Sequence, residues 1–274
     1  MALKDIKLRM QAIKKTSAIT QAMHNIALSK IRKSTDILNH SKSFIHEITR
    51  ILENANQQIE HHRLTSDHVV QKRLYVLVTS DRGLAGGYHN QLFKAFLKEV
   101  SEMSKDHYQL FVLGKKGYYF ALKHKLPMIN KEIIYNRDDL TTMYFRGYAE
   151  LIKEAFMNKH VDEVILYHNH FINTATQEVK KYVILPLKFE KKAMYKEVYI
   201  YDAKPEKVLN QTMDVYIESR IFQALADAKL SEHASRMIAM KNATANAKDI
   251  VEKLNTLYYR ARKQESTSEL IDIV

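Results

Sequence analysis

The chain has 274 residues, 46% hydrophobic and 27% charged, a balance that excludes a disordered polymer. No apolar run approaches the roughly eighteen residues a membrane-spanning helix needs, and the absence of Cys excludes a disulfide framework and Cys-ligated zinc. The net charge of +12 is uneven: residues 1–35 hold eight Lys or Arg against one acid, Asp5, whereas residues 206–274 hold ten of each sign. So basic an arm calls for an acidic partner, whether nucleic acid, anionic lipid or an acidic protein surface.

All six Gly and three Pro lie between Gly83 and Pro205, so both flanks are free of strong helix breakers. From Leu3 to Ile59, alternating steps of three and four visit seventeen positions, twelve of them apolar, including Ile6, Met10, Ile13, Ile45, Ile48 and Leu52. This period predicts a first long helix over 2–60, roughly 85 Å long, with a seam that supercoils on a partner. The seam runs on without a processing break, so the basic N-terminus reads as mature structure rather than a transit peptide. His61–Lys72 is polar and irregular, a connection. Leu74–Thr79 is a compact apolar run that predicts a buried strand. Helical spacing follows over 88–104, then a strand at Leu110–Leu113 stopped by Gly114, and a helix around Lys116–His124. Ile133–Tyr135 reads as a short strand, Leu140–Met157 as a helix, and Val164–Phe171 and Val179–Leu187 as two further strands. Strands alternating with helices predict a mainly parallel, Rossmann-like sheet domain over 73–203. Glu197–Tyr201 is a last extended piece. Pro205 suits the first turn of a helix, and the second long helix (205–274) steps through Met240, Ala243, Ala247, Ile250, Leu254, Leu257 and Ala261. The expected fold is therefore α/β, a long antiparallel coiled coil with an inserted sheet domain, Ile45, Ile48 and Leu52 facing Ile221, Phe222 and Leu225.

Three features could carry chemistry. Thr79–Tyr88 is a Gly-rich turn after the first strand, but its spacing fits neither dinucleotide nor P-loop fingerprints. A tight turn, with three Gly permitting positive φ and close packing of helix on strand, explains it better. His168 and His170 would share one strand face; a metal site needs a third ligand and a placed carboxylate, which the sequence does not supply, so a solvent-facing pair is expected. The basic arm (Lys4, Lys7, Arg9, Lys14, Lys15, Lys30, Arg32, Lys33) has no Phe, Tyr or Trp before Phe44 for stacking, which favours a protein partner over nucleic acid. No nucleophile–base pair stands at a readable spacing, and neither a cofactor nor a metal is expected.

Three separated segments together resemble the gamma subunit of F-type ATP synthases. Lys15-Thr16-Ser17-Ala18-Ile19-Thr20-Gln21-Ala22-Met23, followed by Ser29-Lys30-Ile31-Arg32, is similar to that family's opening. Ser80-Asp81-Arg82-Gly83-Leu84-Ala85-Gly86-Gly87-Tyr88 resembles its S-D-R-G-L-x-G-G loop. The run from Ser231 to Ala247 resembles its S-E-x-A-x-R-M-x-A-M-x-x-A-T-x-N-A signature. The resemblance implies a non-catalytic rotor shaft whose paired terminal helices enter a hexamer of alpha and beta subunits. The inserted domain would then lie against the epsilon subunit and the membrane rotor ring, in the cytoplasm and peripheral on the inner face of a bacterial cell membrane. By the same resemblance, Met23, Lys30, Arg32 and Lys33 would meet acidic beta-subunit loops, Arg82 would lie at a partner interface, and Arg262, Thr267 and Glu269 would lie near the shaft tip. The chain departs from the family at His24-Asn25 and at Lys263 and Ser266. These departures leave open a paralogous shaft coupled to a machine other than a proton ring, beside the alternative of a nucleic-acid-binding coiled coil.

Overall fold

The computed structural model describes residues 3–137, 142–189 and 199–271, and their side chains except at 142–143 and 268–271. Two helices dominate: α1, Leu3–Gln57, and α5, Pro205–Ile271, about 80 and 100 Å long at 1.5 Å per residue. They run antiparallel, with the Thr20 and Thr244 hydroxyls 2.7 Å apart and His24 Nδ1 3.1 Å from the Met237 carbonyl. Nearer the sheet, Ile45, Ile48, Leu52, Ile221 and Leu225 share one buried cluster, with Phe222 packed against it.

The buried positions of α1 follow the expected seam closely: Ile6, Thr20, Ala27, Ser34, Leu38, Ser41, Ile45, Ile48, Leu52 and Ala55 all lie on it. In α5 the seam matches at every seventh residue, Met240, Ala247 and Leu254, but not midway between them. Thr244 is buried, whereas Ile250 and Leu257 are 42% and 47% exposed. Val251 and Tyr258 are half-buried in their place. Neighbouring pairs such as Ile250–Val251 and Leu257–Tyr258 offer two apolar choices per turn, and the Thr20–Thr244 bond selects the second phase.

Between the helices lies a four-stranded sheet in the order β2-β1-β3-β4, made of Arg73–Val78 (β1), Tyr108–Leu113 (β2), Glu163–Phe171 (β3) and Gln177–Leu185 (β4). β1 pairs parallel with β2 and β3, and β4 returns antiparallel to β3 through a tight hairpin. One sheet face (Leu74, Val76, Val78, Phe111, Val164, Leu166) packs on α5, the end of α1 and α4 (Arg146–Met157). The other (Tyr75, Leu77, Leu110, Val112, Ile165, Tyr167) packs on α2 (Tyr88–Val100) and α3 (Lys115–Lys123). The side-chain period of two along each strand produces this division.

Several sequence expectations shift. Ile133–Tyr135 forms no strand; Ile134 makes only an isolated parallel bridge to Leu113. The helix expected from Leu140 begins as a 3₁₀ turn at Thr142–Phe145 before α4, residues 140–141 lying outside the described ones. Tyr199–Tyr201 is irregular, the Tyr199 N–H donating to Asn54 Oδ1, and residues 197–198 lie outside the described ones. The connection after α1 is tightly held: Leu64 is fully buried, and Arg63 donates to the Phe156 and Val161 carbonyls and to Asp162.

Candidate functional site

The Gly-rich turn after β1 is occupied by α5. Arg236 donates to the Gly83 carbonyl, Ser235 to the Ala85 carbonyl at 2.8 Å, and the Tyr88 hydroxyl to the Ala228 carbonyl at 3.0 Å. Of the three glycines in the turn only Gly86 has positive φ, at 56°, and Leu84 shares that conformation at 61°. A Cβ on Gly86 would lie 3.7 Å from that of Ala239, so the turn presses on α5 rather than on its own strand. Close packing against a strand is found instead at Gly114 and Gly117, where an added Cβ would collide with Thr79.

Beside this clasp, α1, α5 and the turn enclose a cleft of about 550 Å³. Met23, Lys30, Asp81, Arg82, Arg137, Lys229, Glu232 and Arg236 line it, five cations against two carboxylates. Asp81 is engaged by the Lys115 N–H, and Glu232 is ion-paired to Arg236 with both side chains under 10% exposed. With more cations than carboxylates the cleft is net positive, and suits an acidic segment. Met23 and Lys30 of α1 meet Arg82, some fifty residues further along the chain, here. Lys33 joins Lys30 at a smaller adjoining cavity of about 110 Å³. Arg32 is exposed and lines neither.

The remaining expected residues sit elsewhere. Arg262 and Thr267 are exposed on α5, the Thr267 hydroxyl donating to the Lys263 carbonyl at 2.7 Å. The backbone of Glu269 is helical, and its side chain lies outside the described ones. Twenty-six residues of helix separate Arg236 from Arg262, about 39 Å, so collar and tip are distinct regions. Arg137 and Lys229 were not legible as cleft residues, since neither stands in a motif.

His89 lies behind the turn, its Nε2 2.6 Å from Ser80 Oγ. Burial pushes its imidazole down to about 4, with Lys116 and Arg236 acting in the same direction. The unfolded chain takes up this proton near 6.5 and the folded chain only near 4. The histidine's stabilising effect is thus complete above about pH 6.5 and is lost as pH falls to 4, by roughly 2–3 kcal/mol. Urea unfolding at pH 7 and 4.5 should show this loss in the native chain and a smaller one in His89→Gln, where His62, also held low by burial, remains. An equal loss in both would reject the assignment.

The expectation of solvent-facing His168 and His170 fails. Both continue the even-numbered face of β3 that packs on α5, and His168 is 6% exposed. His168 Nε2 lies 3.2 Å and His170 Nδ1 2.6 Å from Asp227 Oδ2, and the Phe171 N–H donates to Oδ1. Burial alone would raise the Asp227 carboxyl, but the hydrogen bonds from His168, His170 and Phe171 outweigh it and hold the group below its usual range.

Two long helices joined as a rod, a sheet domain clasped to one side and a basic collar between them define a shaft protein. A family model described as ATP synthase matches residues 2–274. The ATP synthase gamma chain of Exiguobacterium sibiricum is 35% identical over 283 aligned positions, covering 100% of this chain and 97% of that one. In fold, the chain is similar to one in the Euglena gracilis mitochondrial ATP synthase (TM-score 0.68, 17% identity, 99% of this chain and 92% of that one). It is also similar to a chain in the central stalk and c-ring structure of the Tetrahymena thermophila enzyme (TM-score 0.64, 24% identity, 82% and 99%). The chain belongs to the gamma-subunit family of F-type ATP synthases, the central-stalk rotor subunit.

Proposed function

We propose that this chain is a non-catalytic shaft that transmits torque between an ATP-hydrolysing hexamer of alpha and beta subunits and a rotor ring in the membrane. The observation that carries this reading is mechanical. A helix pair joined along almost all of α1 is clasped by buried polar bonds to a sheet domain, so rotation of one part must turn the other. The basic collar (Met23, Lys30, Arg82, with Lys33 beside it and Arg32 on the adjacent face) receives acidic loops of the beta subunits, and Arg262, Thr267 and Glu269 ride in the sleeve at the tip. The sheet domain, 73–203, meets the epsilon subunit and the ring. Among the described residues no helix is long and apolar enough to cross a membrane, and the position proposed for the chain is peripheral, on the membrane's inner face.

Native purification from the source cell should bring down alpha, beta and epsilon chains and a ring protein in one particle. A particle holding a hexamer with other outer chains in place of the ring would redirect the reading to a paralogous machine. Recovery of the chain without any hexamer would reject it.

A further inference from the structure

We propose that His168, His170 and Asp227 form a binding site for a divalent transition cation of the zinc type, bridging β3 and α5. The strand's period of two directs both imidazoles to one face, and the helix supplies the carboxylate that the sequence alone did not reveal. One atom from each residue is available as a ligand, and these atoms all lie within 4.8 Å of one another. Two imidazoles and one carboxylate form the donor set of zinc sites that keep a fourth position for water. Nitrogen donors disfavour magnesium and calcium, which prefer oxygen.

Metal–ligand distances of about 2.0–2.2 Å in a tetrahedron place neighbouring ligand atoms about 3.3 Å apart. The His168–Asp227 separation of 3.2 Å already fits. The His170–Asp227 separation of 2.6 Å must open slightly, and His170, with 27% of its side chain exposed, is free to make that shift and gives the ion its way in. The carboxylate is oriented beforehand by the Phe171 N–H on its other oxygen, which is the support a ligating carboxylate needs.

Binding relocates two ring protons. A neutral His170 bound through Nδ1 carries its proton on Nε2, towards water. A neutral His168 bound through Nε2 carries its proton on Nδ1, which has no partner among the described residues. A missing outer partner of this kind weakens metal affinity by roughly 10- to 100-fold, so binding will be weaker than in fully supported zinc sites. The ion would join the sheet domain to the shaft a second time, on the opposite side of Tyr88 from the Arg236 clasp.

The test uses the full-length, untagged chain with cobalt(II) as an optical probe and zinc as its competitor. The expected result is a saturable visible absorption at one cobalt per chain, abolished by zinc, and a zinc-dependent rise in melting temperature. His170→Gln, a partly exposed position where folding should survive, and Asp227→Asn should each weaken binding at least tenfold. His62→Gln should leave it unchanged, which separates this site from the His61–His62 pair. Should Asp227→Asn fail to fold, His170→Gln alone decides. Absence of a saturable band in the native chain, or its persistence in His170→Gln, would overturn the proposal and leave the three residues as a hydrogen-bonded clip.

Discussion

Replacing Arg236 by Met is expected to lower the unfolding free energy by about 3–5 kcal/mol, because it strands a buried carboxylate. Arg236 and Glu232 are 7% and 5% exposed, one helical turn apart on α5, and the guanidinium also serves the Gly83 carbonyl. The ion pair itself is a weak source of stability, since desolvating two charges offsets most of their attraction. Loss of one partner is what hurts. The double change Glu232→Met/Arg236→Met should therefore recover most of the deficit, leaving about 1 kcal/mol for the lost bond to Gly83. Urea unfolding of the two single and the double variants measures this. A double variant as unstable as Arg236→Met alone would show that the bond to the turn, and not the buried charge, is the important element.

The same clasp accounts for the Gly-rich turn, which the sequence already reads as structural rather than phosphate-binding. Gly-rich strand-to-helix turns bind phosphate when their N–H groups face open space. Here Arg236, Ser235 and Tyr88 tie the turn's chain to α5, 140–153 residues away in sequence, and no local pattern reveals such a partner. The long helices were legible because their period repeats over many heptads. Their phase was less so: where Ile250 adjoins Val251, a tertiary bond between two threonines decided which of them faces inward. His168 could have been placed correctly by counting in twos from Val164 and Leu166, whose burial marks the core face. Asp227 could not, because it is one of nine acids in a helix of nearly balanced charge. The antiparallel return of β4 was legible in principle, since the five residues between the strands are too few for the crossover a parallel pair needs, and Asn173 holds the turn by accepting the N–H groups of Ala175 and Thr176.

The collar and the tip should differ sharply in a reconstituted rotary complex. Pairing of Thr20 with Thr244 and of His24 with Met237 sets Leu3 opposite about residue 261, so among the described residues α5 has no α1 neighbour beyond that point. Residues 262–267 are all exposed, and a single helix without a partner resists bending less than the pair behind it. Deleting Ser266–Val274 should then leave assembly intact and reduce ATP hydrolysis by less than about threefold, a change of about 0.7 kcal/mol in barrier. Lys30→Glu with Arg82→Glu should act differently. Both residues line the cleft where shaft and sheet domain meet, and reversing them adds like-charge repulsion against acidic loops at a partly desolvated surface. A fall of roughly tenfold or more in torque-coupled turnover is expected, about 1.4 kcal/mol for each factor of ten, and it should shrink as salt screens the repulsion. Arg32→Glu, at the exposed edge of the collar and outside the cleft, should do less. Single-molecule rotation and ATPase rates of the four complexes decide the matter: loss of rotation on truncating the tip, with the collar reversal silent, would place the transmission of force at the end of the shaft instead of at its collar.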